Sequence, residues 1–224
     1  MLEELYQKLN YRFGDPRLLI TALTHPSYGG DHHVPHYQRL EFLGDAVLEL
    51  AISEYLYREL PEVDEGKLTR FRASLVREET LFRAAERLDL GKHIRMSVGE
   101  ERSGGRNKPS ILSDVMESVF AAVYLDGGFE CAVKVIREVL KEEFKPSDFV
   151  DRLDAKSRLQ ELLQQTGRMP EYEYLSVEGP PHAPVFHYQV TDGETCLGQG
   201  SGSSKQNAQQ EAALSALKRM GALS

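Results

Sequence analysis

The chain is short of cysteine, of positive charge and of long apolar runs, and each shortage removes a class of protein. Only two cysteines occur in 224 residues, Cys131 and Cys196, far apart and without metal-ligand spacing. They read as free thiols, which excludes a disulfide scaffold and a cysteine-ligated metal site. No apolar stretch approaches the ~20 residues that cross a bilayer, so no membrane partner is expected. The opening MLEELYQKLNYRFGD lacks the basic-then-apolar order of a secretory leader, which makes a cytoplasmic location the expectation. The formal net charge is −8, without the basic surplus that proteins neutralising phosphates usually carry. A cluster of catalytic carboxylates would itself push that total negative. No internal repeat or low-complexity tract is present.

What remains is ordinary globular material, 41% hydrophobic and 28% charged, enough for one full domain and a smaller one. Residues 1–145 read as mostly helical. Helices are expected over Leu2–Leu9, Pro16–Thr24, Tyr37 to about Leu60, about Glu65 to Leu88, Pro109 to about Leu125, and Phe129 to about Phe144. Gly99 to Lys108 reads as a polar, glycine-rich loop. The character changes at KPSDF, where Pro146 and Ser147 suggest a helix break and a linker over 146–151. Residues 152–224 then read as α-β-β-β-α. A helix over Asp154–Gln165 precedes strands over Tyr172–Glu178, Val185–Thr191 and Cys196–Gly200, and an alanine-rich helix closes the chain over Gln206–Met220. The fold class expected is an all-α domain followed by a small α+β domain.

The stretch HYQRLEFLGDAVLEL carries the first chemical signal. On a helix, Gln38, Glu41 and Asp45 fall within a sector of roughly 60°. A second acidic pair, Asp114 and Glu117, shares a face of the apolar run ILSDVMESVFAAVYL. A single such pair is most often a solvated helix face. Two pairs on helices this apolar are harder to explain, because clustered buried carboxylates repel and are costly to ionise. A hard divalent cation resolves that cost, since Mg²⁺ takes carboxylate oxygens and water. His25, His32, His33 and His36 lack the paired spacing of zinc sites, and His25 reads as a structural hydrogen-bonding residue.

RLEFLGDAVLEL resembles the signature of ribonuclease III. The likeness extends through LTHPSY, VDEGKLTRFRASLV and SGGRNKPSILSDVMESVFAAVYLDGG to the C-terminal residues, covering nearly the whole chain. The resemblance implies an all-helical endonuclease domain that forms a homodimer, with Mg²⁺ as cofactor and Mn²⁺ able to substitute. It implies hydrolysis of both strands of double-stranded RNA, leaving 5′-phosphates, 3′-hydroxyls and two-nucleotide 3′ overhangs. Ribosomal RNA precursors and structured transcripts are the substrates it suggests. Glu41, Asp45, Asp114 and Glu117 match the family's four carboxylates as metal ligands, with Asp45 and Glu117 as the catalytic pair. Glu65 matches an accessory acidic position, and equally suits the first turn of a helix. Gln38 departs from the family, which usually has glutamate there. The amide keeps size and hydrogen bonding and removes a charge.

Residues from about 150 resemble a double-stranded RNA-binding domain. Ser157, Gln160, Glu161 and Gln164 match the first-helix contacts, His182 the turn, and Ser203, Ser204 and Lys205 a helix N-terminus suited to phosphates. The family's further basic residues are replaced by Gln206 and Gln209. Residues 151–224 hold 7 Lys and Arg against 9 Asp and Glu, so modest RNA affinity is expected. Two other functions fit parts of the pattern. A non-catalytic double-stranded RNA-binding regulator would explain Gln38, but the four intact carboxylates speak against it. A helical dimerisation protein would leave the GSGSSK and GPPH elements idle.

Overall fold

A computed structural model describes residues 2–144, 146–180, 183–193 and 195–222, the side chains of 146–154 excepted. The chain divides into two compact units, Met1–Lys145 and Pro146–Ser224. The first unit is helical: α1 (Leu2–Leu9), α2 (Pro16–Ala22), α3 (Pro26–His32), α4 (Gln38–Glu59), α5 (Glu65–Val76), α6 (Glu78–Arg87), α7 (Val98–Arg102), α8 (Pro109–Gly127) and α9 (Phe129–Val139). Short 3₁₀ turns lie at Leu90–His93 and Gly105–Asn107. The second unit holds α10 (Pro146–Gln164), β1 (Glu171–Glu178), β2 (Val185–Thr191), β3 (Cys196–Gly202) and α11 (Lys205–Arg219). No helix among the described residues is long and apolar enough to cross a membrane.

Helix α8 is the axis of the first unit. Ile111, Leu112, Val115, Met116, Val119, Phe120, Ala121, Ala122 and Val123 are all buried on it, leaving no wholly solvent-facing side along that stretch. A helix apolar all round must be enclosed, and α2, α4, α6 and α9 pack around this one. Pro109 starts it at a position where the missing N–H costs nothing. Gly128, at φ +80°, ends it in a conformation that side-chain-bearing residues rarely adopt. Helix α4 offers Val47, Leu48, Ala51, Ile52 and Leu56 to the shared core. Burying each of the branched side chains among them is worth about 1.5–3 kcal/mol.

The sequence misplaces several boundaries. The single helix expected over Glu65–Leu88 is two, because Arg77 is extended (φ −66°, ψ 150°). The Thr80 hydroxyl donates to the Ser74 carbonyl across that break, at 2.8 Å. Glu78 and Glu79 then occupy the first turn of α6, where the helix dipole favours acids. Helix α3 carries too few apolar residues to show a helical period. It starts because His25 Nδ1 accepts the Ser27 N–H and Pro26 holds the first position. The loop expected over Gly99–Lys108 holds most of α7, whose start is capped by the Ser97 hydroxyl, and the 3₁₀ turn Gly105–Asn107. Helix α9 stops at Val139, short of Phe144. The linker expected over 146–151 is the start of α10 instead, which also sets the helix start well before Asp154. Proline breaks a helix from within but is welcome at its first position, and Pro146 is the first residue of α10.

In the second unit the strands lie in the order β1-β2-β3, all antiparallel, with helices packed against them. Ala155, Leu159 and Leu163 of α10 join Val190 of β2 and Ala212, Ala213, Ala216 and Leu217 of α11 in one core. Alternate glycines of β3 let α11 come very close. A Cβ at Gly200 would meet the Ala212 nitrogen at 2.1 Å, and one at Gly198 the Ala216 nitrogen at 2.5 Å. The alternation of small residues is therefore a packing surface.

Candidate active site

The first unit's acidic residues meet where α4 crosses α8. Gly44 sits between Glu41 and Asp45, and a Cβ there would fall 1.9 Å from the Glu117 carbonyl oxygen. The missing side chain lets the two backbones touch at the turn that carries the acids. Glu117 is mostly buried, and its carboxyl is pushed up to about 8, by burial first and then by the charges of Asp45, Asp114 and Glu41. Glu41 is raised by burial, then by Asp114 and Asp45. Burial also raises Asp114, a hydrogen bond from Tyr37 opposes that, and Glu78 adds to it. The side chains of all four carboxylates thus occupy one electrostatic environment, with Asp45 at its exposed side.

Tyr37 stands at the start of α4, 4% exposed, and its hydroxyl lies 3.4 Å from Asp114 Oδ2 as donor. Burial and the neighbouring acids raise the phenol, so it remains a donor. Among the described residues it is the one hydrogen-bond donor to any of the four carboxylates, and no lysine, arginine or histidine forms an ion pair with them. The site therefore concentrates negative charge without a cation of its own.

That donor set fits a hard divalent cation: four carboxylates, all oxygen, partly desolvated and mutually repelling. The side chains are not drawn in around one point. Among the described residues, no three His, Cys, Asp or Glu side chains stand at metal-ligand spacing.

Among the described residues neither accessory position is hydrogen-bonded or ion-paired to the four acids. Gln38 is the first residue of α4 and exposed. Glu65, first in α5 and exposed, accepts a hydrogen bond from Thr69 of its own helix at 2.9 Å. Glu78 adds a further like charge beside Asp114, and no sequence pattern marks it because it lies inside what reads as one continuous helix. Tyr37 was also missed as a site residue, since a phenol at a helix start carries no motif. Gly44 could have been found: a glycine within so apolar a helix signals a close backbone approach.

In the second unit Ser157, Gln160, Glu161 and Gln164 are exposed on one face of α10, opposite Ala155, Leu159 and Leu163. Ser204 caps α11 by accepting the Asn207 N–H at 3.2 Å, and Lys205 next to it is exposed. Ser203 accepts from the Asn207 side chain at 3.4 Å. His182 lies outside the described residues. Gln209 has a structural role, accepting from Lys156 Nζ at 2.8 Å while that ammonium lies 4.5 Å from the Tyr172 ring centre. A lysine at 209 would face Lys156 instead.

Comparison with known proteins follows the same division. Residues 15–143 match the Ribonuclease-III-like family, and residues 155–220 match the double-stranded RNA binding motif. Ribonuclease 3 of Caldanaerobacter subterraneus subsp. tengcongensis is 44% identical over 234 residues, covering all of both chains. Ribonuclease 3 of Bacillus cereus is 43% identical over 218 residues, 96% of this chain and 89% of that protein. Among solved structures, the nuclease domain of ribonuclease III from Campylobacter jejuni superimposes with a TM-score of 0.61 at 44% identity. The match covers 64% of this chain and 99% of that one, a structure described for flexibility in the region involved in dimer formation.

Proposed function

The chain belongs to the ribonuclease III family and is an endoribonuclease for double-stranded RNA, and from that premise we propose how it cuts. It is Mg²⁺-dependent, with Mn²⁺ able to substitute, and hydrolyses both strands to leave 5′-phosphates, 3′-hydroxyls and two-nucleotide 3′ overhangs. One observation carries the metal dependence: four carboxylates share the α4–α8 crossing with no protein cation paired to them among the described residues. Glu41, Asp45, Asp114 and Glu117 would hold the ion, with Asp45 and Glu117 closest to the chemistry. The cation supplies Lewis acidity, to the scissile phosphate and to the attacking water. Glu117, protonated at neutral pH before the cation binds, must release that proton to become a ligand, so loading is favoured by rising pH.

Helix α4 supports a homodimer through this unit. Phe42 is 82% exposed, Leu50 57% and Tyr57 75%, and with Ala46 they form one outward stripe. Such a stripe on the helix that carries Glu41 and Asp45 suits a second copy of the same surface. The second unit holds the duplex by shape, through the exposed face of α10 and the capped start of α11. Precursors of ribosomal RNA and structured transcripts in the cytoplasm are the substrates this reading favours. The test is end-labelled duplex RNA incubated with and without Mg²⁺. Cleavage only with the cation, giving two-nucleotide 3′ overhangs, supports the reading, and cleavage in chelator overturns it.

A further inference from the structure

Of the four acids at the α4–α8 crossing, one alone is held by a hydrogen bond among the described residues. Asp114 has a donor, the Tyr37 hydroxyl at 3.4 Å from Oδ2, and among the described residues no other donor reaches any of the four. Tyr37 itself is fixed from several directions. Its N–H donates to the Thr24 carbonyl at 2.9 Å, and its own carbonyl accepts the Leu40 N–H at 2.7 Å and the Glu41 N–H at 2.9 Å. The buried Ser118 hydroxyl bridges the same carbonyl, at 3.3 Å, and the Asp114 carbonyl, at 2.9 Å. Its ring meets His25 edge-on, centroids 5.7 Å apart. One residue thus touches the backbone of one acid and the side chain of another, on opposite helices.

We propose that Tyr37 is a positioning residue that sets which way the Asp114 carboxylate faces. At 3.4 Å the contact is long for O–H···O, so its value lies in orientation more than in energy. Asp114 stands among the like charges of Glu41, Glu117 and Glu78, none of which holds it in place. A neutral donor holds it without cancelling the charge that a cation needs, as outer hydrogen bonds hold the ligands of metal sites generally. The inference rests on the proposed metal reading of the site.

The test is Mn²⁺ uptake by the full-length protein, read from the free-ion electron paramagnetic resonance signal, with thermal unfolding alongside. Tyr37→Phe keeps the ring and removes only the hydroxyl. Its unfolding midpoint stays within about two degrees of wild type, and half-saturation by Mn²⁺ rises roughly tenfold or more. Asp114→Asn weakens uptake too, and adding Tyr37→Phe to it changes uptake less than about twofold, because the pair then acts as one unit. Uptake by Tyr37→Phe equal to wild type, or losses that multiply in the double variant, would overturn the role of Tyr37. Wild-type protein that takes up no Mn²⁺ would overturn the metal reading itself, a result distinguishable from the first.

Discussion

A methyl group on Gly44 would stand 1.9 Å from the carbonyl oxygen of Glu117, far inside the contact distance of a carbon and an oxygen that are not bonded. The glycine between Glu41 and Asp45 is therefore what lets α4 reach the Glu117 turn of α8. Gly44→Ala must push the helices apart or bend one of them. It should cost about 2–4 kcal/mol, in the range of severe overpacking, and abolish cleavage by separating the acids. Chemical denaturation and duplex cleavage would check both effects, and a fully active, equally stable variant would refute the close crossing.

The pH dependence of the metal-free protein follows from the same crowding. A carboxyl whose folded pKa lies above its unfolded value stabilises the fold at low pH and withdraws that stability as pH rises. For Glu117 the window runs from its ordinary 4.5 to about 8, and Glu41 and Asp114 are shifted in the same direction. In chelator, the first unit should lose about 2 kcal/mol between pH 5 and 8, after allowance for the partly open site. Glu117→Gln should flatten that slope, and Mg²⁺ should restore stability at pH 8. Thermal unfolding across pH, with and without the ion, measures this.

Asp126, at the end of α8, accepts from the Tyr11 hydroxyl at 2.8 Å and from the Gly14 and Asp15 amides at 2.9 and 2.8 Å. It ties the turn before α2 to the helix that carries Asp114 and Glu117. Asp126→Ala leaves three donors without that partner and should destabilise the first unit by about 2–3 kcal/mol. Tyr11→Phe removes one bond and should cost about 1 kcal/mol. Urea unfolding distinguishes the two.

The second unit should bind duplex RNA with a shallow salt dependence, because residues 151–224 carry more acid than base. Lys205→Ala should reduce the slope of log K against log salt by roughly one. A wild-type slope as steep as that of a strongly basic domain would contradict the assignment of its contacts.

What the sequence made legible was what repeats with a short period or stands in a motif. The strand Val185–Thr191 and the ends of α1 were readable from alternation and helical spacing. That the four acids form one cluster was suggested by carboxylates interrupting two apolar runs, and the structure places their charges together. The break at Arg77 was not, since extended backbone at an arginine leaves no compositional mark. Tyr37 and Glu78 were missed for a related reason. Both act on Asp114 across the fold, 77 and 36 positions away in the chain, and only packing brings them there. Pro146 misled because proline stops a helix from inside it yet starts one from its first position.

The central claim is that the acids at the α4–α8 crossing perform cleavage and do not merely bind RNA. Glu117→Gln keeps the size of the side chain and removes its charge, and duplex binding and cleavage can be measured on one preparation in Mg²⁺. Binding should stay within about twofold of wild type, with cleavage reduced at least a hundredfold. Cleavage at the wild-type rate would contradict the claim.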